Sequence, residues 1–453
     1  MAAADGDIPL SARRQKLNIC IYATNVGLVY LGCPVFYVGI TAAALCKRLD
    51  ASDAISNLPA TAYFFGTLAP IFVAWYFPYV RLLKSVLVAS YAILGLAGGV
   101  VAAALGMYRS DGQNVLLILV VVCYAALAGA ALQTISTFQW EVIGRGVSES
   151  RRGQALGLAF GAGPILAVIG SLAQQLVLQG ELQVPAIDSA GGIGTARLAI
   201  AAPGFPWNFA TLYAATVPLM TLAALLSTRF VVPRPSVEVA RQPFVAGVFG
   251  GIGDLLAHRI TRIAVIATVL IFAGNMVIAN VSLYTASALG EPSDQYVGYQ
   301  NALRFGFKIV AGLTLGWLLT RTHPKAGMIF TGVLCLLGVL WASVADGKWF
   351  LLSFGLLGAG ELYGIYYPNY LLSCSSPSKM RRNMAIANML PMVAAPAAVM
   401  YGAISDAFGY HASFATSMFV IAATLILVLV ALPARPAPSP EDIDASDLTV
   451  AAP

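Results

Sequence analysis

The sequence predicts an all-α membrane protein, with twelve transmembrane helices in two six-helix pseudo-repeats around a central cavity. Three observations predict it. Of the 453 residues, 59% are hydrophobic and only 10% are charged, against about 25% charge in soluble domains. Runs of roughly 20 apolar residues recur along the chain, each long enough to cross a ~30 Å hydrocarbon core as a helix. Basic residues alternate between the connections in the way membrane topology requires.

The first run, Leu17–Leu45, is too long for a signal-peptide core and lacks a small-residue cleavage site, so it reads as an uncleaved first helix. Asn57–Pro78 follows and ends at a basic turn, Arg81 and Lys84. Ser85–Gly106 and Val115–Trp140 are the third and fourth runs. Gly153–Leu178 begins after Arg151 and Arg152, and a Gly- and Pro-rich outer loop, Gln179–Trp207, leads to Asn208–Ser227. Arg229–Arg262 holds Pro233, Pro235 and basic residues, and reads as a cytoplasmic linker. Within it, Phe244–Leu256 is a candidate amphipathic surface helix. Its Gly250-Gly251-Ile252-Gly253 cluster is no nucleotide fingerprint, because no strand precedes it.

The second set comprises Ile263–Leu289, Tyr296–Thr320, Ala326–Val344, Trp349–Cys374, Asn383–Ser405 and Ser413–Leu432. The organisation is thus a tail (1–16), a first half (17–228), a linker (229–262), a second half (263–432) and a tail (433–453). That last tail is Pro-rich, then acidic at Glu441, Asp442, Asp444 and Asp447, and is expected to be disordered. The runs are continuously apolar rather than alternating, which excludes a β-barrel.

With the N-terminus placed in the cytoplasm, most Lys and Arg residues fall on that side. The outer connections carry only Lys47, Arg48, Arg109, Arg197 and Lys348. This places both termini in the cytoplasm, and a bacterial inner membrane is the expected location. The net charge of +6 therefore serves topology rather than nucleic-acid binding. The expected partners are the lipid bilayer, a small-molecule substrate and protons. The six cysteines lie in or beside spans without metal spacing, and there are only three histidines. They are His258, His323 and His411, all near loops, and no Ser/His or metal pattern accompanies them. No cofactor, metal site, P-loop or enzymatic constellation is expected.

The halves repeat weakly. Ala62–Gly66 aligns with Ala302–Gly306, and Arg81 with Arg321, at an offset of 240. Gly163-Pro164 and Gly170 align with Ala395-Pro396 and Gly402 at an offset of 232. Paired halves are a common transporter build. Three segments carry a resemblance across nearly the whole chain: Gly312–Arg321, Arg152–Gly157 and Gly402–Gly409. They resemble the loop between helices 8 and 9, the start of helix 5 and the end of helix 11 in the major facilitator superfamily. That family's signature after helix 2 is degraded here to Ala74–Lys84. Arg81 and Lys84 remain, but the Asp is missing. The resemblance is thus to a divergent branch, and implies alternating access around a central cavity.

Charge inside the spans marks the candidate site. Lys308 lies twelve residues past Tyr296, and Glu361 twelve past Trp349, so both sit about 18 Å deep at 1.5 Å per residue. Arg304 is one turn from Lys308 on the same helix face. Charges at that depth are costly and mark transport paths. Three readings stand. The cations bind an anionic substrate; or Glu361 is the proton-coupling site; or Glu361 statically neutralises the cations.

Tyr363, Asn275 and Asn25 are further cavity candidates, with helix–helix hydrogen bonding the alternative for the asparagines. Tyr367 and Tyr370 read as an aromatic belt at the inner interface. Gly157, Gly161 and Gly163 in the fifth span read as a close-packing face. Arg81, Glu141, Arg152, Arg321 and Arg382 are candidate gating residues at the cytoplasmic ends. The functional expectation is secondary active transport of a small anionic or zwitterionic solute, coupled to protons. Efflux of amphipathic compounds and a non-transporting receptor on the same fold are the alternatives.

Overall fold

The structure, a computed structural model, describes residues 10–37, 39–109, 111–187, 193–233, 252–253, 255–374, 383 and 386–436. Phe244–Leu256 lies mostly outside the described residues, as do Arg382 and the acidic tail. Helix dominates because a helix satisfies its own backbone donors and acceptors without water. The first half runs α1 (Ala12–Phe36), α2 (Ile40–Arg48), α3 (Asp53–Gly66), α4 (Ala69–Tyr76), α5 (Leu83–Gly106), α6 (Asn114–Gly146), α7 (Glu149–Gln179) and α8 (Trp207–Ser227). The second runs α9 (Arg259–Asn275), α10 (Ile278–Leu289), α11 (Val297–Arg321), α12 (Pro324–Val344), α13 (Leu352–Gly360), α14 (Tyr363–Ser373), α15 (Leu390–Ala394), α16 (Pro396–Phe408) and α17 (Tyr410–Ala431).

Five of the predicted spans arrive as pairs of helices. The first breaks between α1 and α2, after Pro34 and at Gly39, whose φ of 109° is costly for any residue with a Cβ. The second breaks at Thr67 and Leu68, before Pro70. Asn275 ends α9, Glu361 and Leu362 form the turn between α13 and α14, and Pro396 opens α16. Among the described residues, ten stretches are long and apolar enough to cross a membrane by length and composition. The eighth and tenth predicted spans are missing from that set. They are the two that carry Arg304, Lys308 and Glu361.

The outer segment Gln179–Trp207 is not simply the loop expected from the sequence. It holds an antiparallel hairpin, β1 (Glu181–Ile187) with β2 (Ile193–Ala199), in which Glu181 faces Ala199 and Ile187 faces Ile193. Gly180 ends α7 in the left-handed region (φ 74°) and turns the chain into β1. Two short strands in register satisfy each other's backbone there.

Within the first half, α1 packs along α7, α5 along α8, and α3 and α5 along α6. Within the second, α13 packs between α11 and α12, and α17 against α9 and α12. The halves meet along two seams, α7 with α11 and α3 with α16. Glycine permits the approach at one end of each seam. A Cβ on Gly298 would meet the Gln175 backbone nitrogen at 2.6 Å, and one on Gly402 would meet the Asp53 carbonyl oxygen at 2.5 Å. That end is the far face; the opposite one, where α1 begins and α17 ends, is the terminal face.

Toward the terminal face the seam opens. A Cβ added at Gly153, Gly157, Gly161, Gly312 or Gly316 would meet nothing within 4 Å. Gly157 and Gly161 therefore do not form the close-packing face expected of them. The tight contacts of α7 lie further along, at Gly163 against the Tyr30 ring and at Gly170 against the Leu31 backbone. Tyr367 and Tyr370 also depart from expectation. Both are fully buried rather than set in an interfacial belt, and the Tyr370 hydroxyl donates to the Pro433 carbonyl at 2.8 Å.

Candidate functional site

Glycine also brings the charged residues together. A Cβ on Gly358 would meet Arg304 Cα at 2.6 Å, and one on Gly360 the Cys335 backbone nitrogen at 2.8 Å. Without side chains at these positions, α13 lies directly on α11 and α12. The helix then turns at Glu361, whose N–H donates to Leu357 O at 2.9 Å and whose C=O accepts from Gly364 N–H at 3.0 Å. The turn aims the Glu361 carboxylate at the α11 face that carries Arg304 and Lys308.

The carboxylate is shared. Arg304 Nη2 lies 2.5 Å from Glu361 Oε1, and Lys308 Nζ pairs with Oε2. Side-chain exposure is 4% for Arg304 and 5% for Glu361 but 13% for Lys308, so Lys308 is the member most open to the cavity. The first half contributes Tyr37, from the break between α1 and α2. Its ring centroid lies 4.8 Å from Arg304 Cζ and 5.0 Å from Lys308 Nζ. Phe305 lies 5.0 Å from Lys308 Nζ on α11 itself. These distances are within cation–π range.

The triad lines a cavity of about 390 Å³ between the halves, within the roughly 300–1,000 Å³ typical of small-molecule sites. Arg304, Lys308 and Glu361 are the only charged side chains in its described lining. Two cations face one anion, leaving one positive charge unbalanced. The cavity extends from Gly39 and Ala279 near the far face to Pro368, Asn388 and Pro391 toward the terminal face. A second chamber of about 190 Å³ adjoins it on the first-half side and shares Tyr30, Tyr37, Tyr63, Gln133 and Phe160 with it.

The other expected site residues fall in different places. Asn275 and Tyr363 line the cavity, where Asn275 Nδ2 donates to the Tyr363 hydroxyl at 3.2 Å. Asn25 does not line it. It is fully buried and donates to Ser227 Oγ at 2.9 Å, joining α1 to α8. Glu141 pairs with Arg145, one turn away, at 2.8 Å. Arg152 turns back to the α6 end and donates to Gly144 O at 2.6 Å and to Val147 O at 3.3 Å. Arg81 lies 5.0 Å from the Tyr79 ring and Arg321 4.3 Å from the Trp317 ring. Each of these contacts stays within its own half.

Residues that sequence reasoning missed close the far face. Asp406 on α16 accepts from the backbone N–H of Asp53 at 2.8 Å and of Ala54 at 2.9 Å, capping α3 of the other half. Asn57 donates to Asn280 at 2.6 Å, and Asn280 donates to Ser405 and Ser413. On the other seam, Gln175 donates to Gln295 O at 2.6 Å and Gln179 to Asp294 O at 3.0 Å. Asn301 donates to Gln174 at 3.1 Å. The Tyr299 hydroxyl also holds the hairpin, donating to Gln183 O at 3.3 Å and accepting from its N–H at 2.7 Å. The only sequence signal was polar side chains at outer span ends, which look the same when solvated.

Two halves with a cavity between them, closed at the far face, make up the membrane bundle. The fold is shared with solved transporters of the major facilitator superfamily. No family model matches the sequence, and no curated protein sequence does. Solved structures match over nearly the full length. A D-xylose–proton symporter aligns at TM-score 0.65 and 13% identity, covering 93% of this chain and 98% of its own. A variant of the nucleoside transporter NupG aligns at 0.64 and 11%, covering 92% and 99%. A variant of the E. coli fucose:proton symporter FucP aligns at 0.58 and 15%, covering 92% and 99%. All three are transporters rather than enzymes.

Proposed function

We propose that the protein is a secondary active transporter that moves a small anionic or zwitterionic solute together with a proton, by alternating access. One observation carries this reading: a buried triad, at the interface of the halves, that holds one positive charge in excess. Lys308, which has no carboxylate to itself, is a ready partner for an anionic group of the cargo. Lys308 is the more exposed cation and meets the cargo; Arg304 and Glu361 form the deeper pair.

Charge bookkeeping suggests the coupling. Cargo and Glu361 compete for Lys308, so a proton on Glu361 frees Lys308 for the cargo's anion. One anion plus one proton adds no net charge. The empty and loaded cavities then carry the same charge, and both can cross between facing states. The positive-inside pattern makes the terminal face cytoplasmic, so the state described is open to the cytoplasm. Arg81, Glu141, Arg152, Arg321 and Arg382 would then act when that face closes. Asn275 and Tyr363 would shape the cavity floor.

Uptake into proteoliposomes under an inward proton gradient tests the reading. Wild type, Lys308→Ala and Glu361→Gln are compared on labelled anionic, neutral and cationic solutes. Gradient-driven anion uptake that both variants lose supports it. Neutral-solute uptake that survives both substitutions sinks it, and points to the cargo types named for the xylose, fucose and nucleoside carriers. Uptake indifferent to cargo charge but lost in Tyr363→Ala favours amphipath efflux.

A further inference from the structure

The chamber beside the triad is walled by aromatic rings: Tyr22, Tyr30, Phe36, Tyr63, Trp140 and Phe160. Tyr37 belongs to both spaces. Its ring lies close to both cations, and the same residue lines the chamber. A ligand with its charge at Lys308 therefore lies against one residue of the aromatic wall.

We infer that the cargo is a monoanion with a flat apolar body, such as an aromatic monocarboxylate, lying with its charge at Lys308 and its ring in this chamber. This inference rests on the anionic-cargo reading. Two observations favour a flat apolar body over a polyhydroxylated one. First, two of the amide side chains that line these spaces are already engaged. Gln139 donates to the Tyr91 hydroxyl at 2.8 Å, and Asn275 to Tyr363. A sugar-like ligand needs many free donors and acceptors, because each unmatched buried hydroxyl carries a desolvation cost. Second, Trp140 and Phe160 line the chamber yet remain 49% and 47% exposed. About half of each side chain is thus left uncovered by the bundle, and an aromatic ring is the complementary stacking surface.

The test is calorimetric titration of the purified full-length protein with phenylacetate, lactate, glucuronate and benzyl alcohol. Wild type, Lys308→Ala and the double variant Trp140→Ala/Phe160→Ala are compared. The double variant truncates half-exposed side chains, so its fold is expected to survive, and a thermal melt confirms that. Phenylacetate should bind at least about tenfold more tightly than lactate or glucuronate. The double variant should lose that advantage while keeping the lactate affinity, and Lys308→Ala should lose both. If lactate or glucuronate matches phenylacetate and still needs Lys308, the aromatic-body inference falls and the anion reading stands. If benzyl alcohol matches phenylacetate and Lys308→Ala changes neither, the anion reading falls and this inference with it. Absence of phenylacetate binding to wild type also overturns it.

Discussion

Phe64 and Leu68 stand in the first half where Arg304 and Lys308 stand in the second, at the 240-residue offset that aligns the repeat. Phe64 and Arg304 line the same cavity from opposite sides. One half thus presents aromatic rings and neutral amides, and the other presents every charged group of the described lining. The two halves are similar in the sequence repeat but not in the chemistry they bring to the cavity. A carrier that rocks two halves about one site gains from this division. A charge cluster held on one half needs no charged partner from the other, so protonation and cargo, rather than the facing state, govern its ion pairs. What the first half supplies is shape, plus the Tyr37 ring that touches the cations across the interface.

The largest effect should come from breaking the charged side. Glu361→Gln leaves Arg304 and Lys308 facing each other in a buried site. It should abolish transport and destabilise the protein by roughly 3–5 kcal/mol, the usual cost of removing one partner of a buried pair. Replacing all three residues by leucine should restore much of that stability, because apolar side chains of similar size often substitute for buried ion clusters. It should not restore transport. Thermal melts in detergent alongside proteoliposome uptake separate the two effects. Transport by the triple variant would show that the cluster is structural.

The next effect tests the uncharged side. Phe64→Arg gives the first half the residue its repeat partner has and adds a third cation to a cavity with one carboxylate, already shared. It should cost about 2.5–3.5 kcal/mol, as for Arg at the centre of a span. A melt that does not move would mean the cavity hydrates or pairs the new cation, and that the division between the halves is less strict than drawn.

Charge at depth is what made the triad legible from sequence. In a chain this apolar, Arg304, Lys308 and Glu361 are conspicuous, and helical spacing alone puts the two cations on one face. The spans were legible for the same reason, since apolar length is set by bilayer thickness. Neutral polar residues carry no such signal. Asn25 and Asn275 look alike in identity and depth, yet one joins α1 to α8 and the other lines the cavity. The difference is the direction each faces, and nearly uniform hydrophobicity around a span hides that direction. Tyr37 was hidden too. Pro34 and Gly39 hint at a break in the first span, but nothing in one sequence says that the break delivers a ring to the opposite half.

The far face offers a second asymmetry, between its two seams. The α3–α16 seam is held by a carboxylate, Asp406, on two backbone N–H groups at a helix start. The α7–α11 seam is held by neutral amides. Asp406→Asn keeps a capping side chain but removes the charge and one acceptor. It should weaken the closed far face by about 1 kcal/mol, within the range for caps and helix-dipole contacts. Labelling of a cysteine placed beneath the gate, from the far side, should rise about fivefold. Unchanged labelling would mean the glycine-mediated contacts at Gly298 and Gly402 close the face without the latch.

The smallest effect is a pH dependence confined to the amide seam. Asp294 sits in the turn before α11, and its backbone accepts from Gln179. Burial holds its carboxyl above the ordinary value, with Arg48 acting in the opposite direction. Opening the far face returns Asp294 to water and to an ordinary carboxylate pKa near 4. The closed state therefore binds the proton more tightly than the open one. Its stabilising contribution is fully present below the ordinary value and is lost as pH rises through the higher closed-state value. Far-face labelling should increase over that window as the far-side solution is made less acidic. Asp294→Asn should flatten the profile, while Asp406→Asn should raise labelling across it. A profile that keeps its slope in Asp294→Asn would move the pH response to another group and leave the two seams distinguished by the Asp406 latch alone.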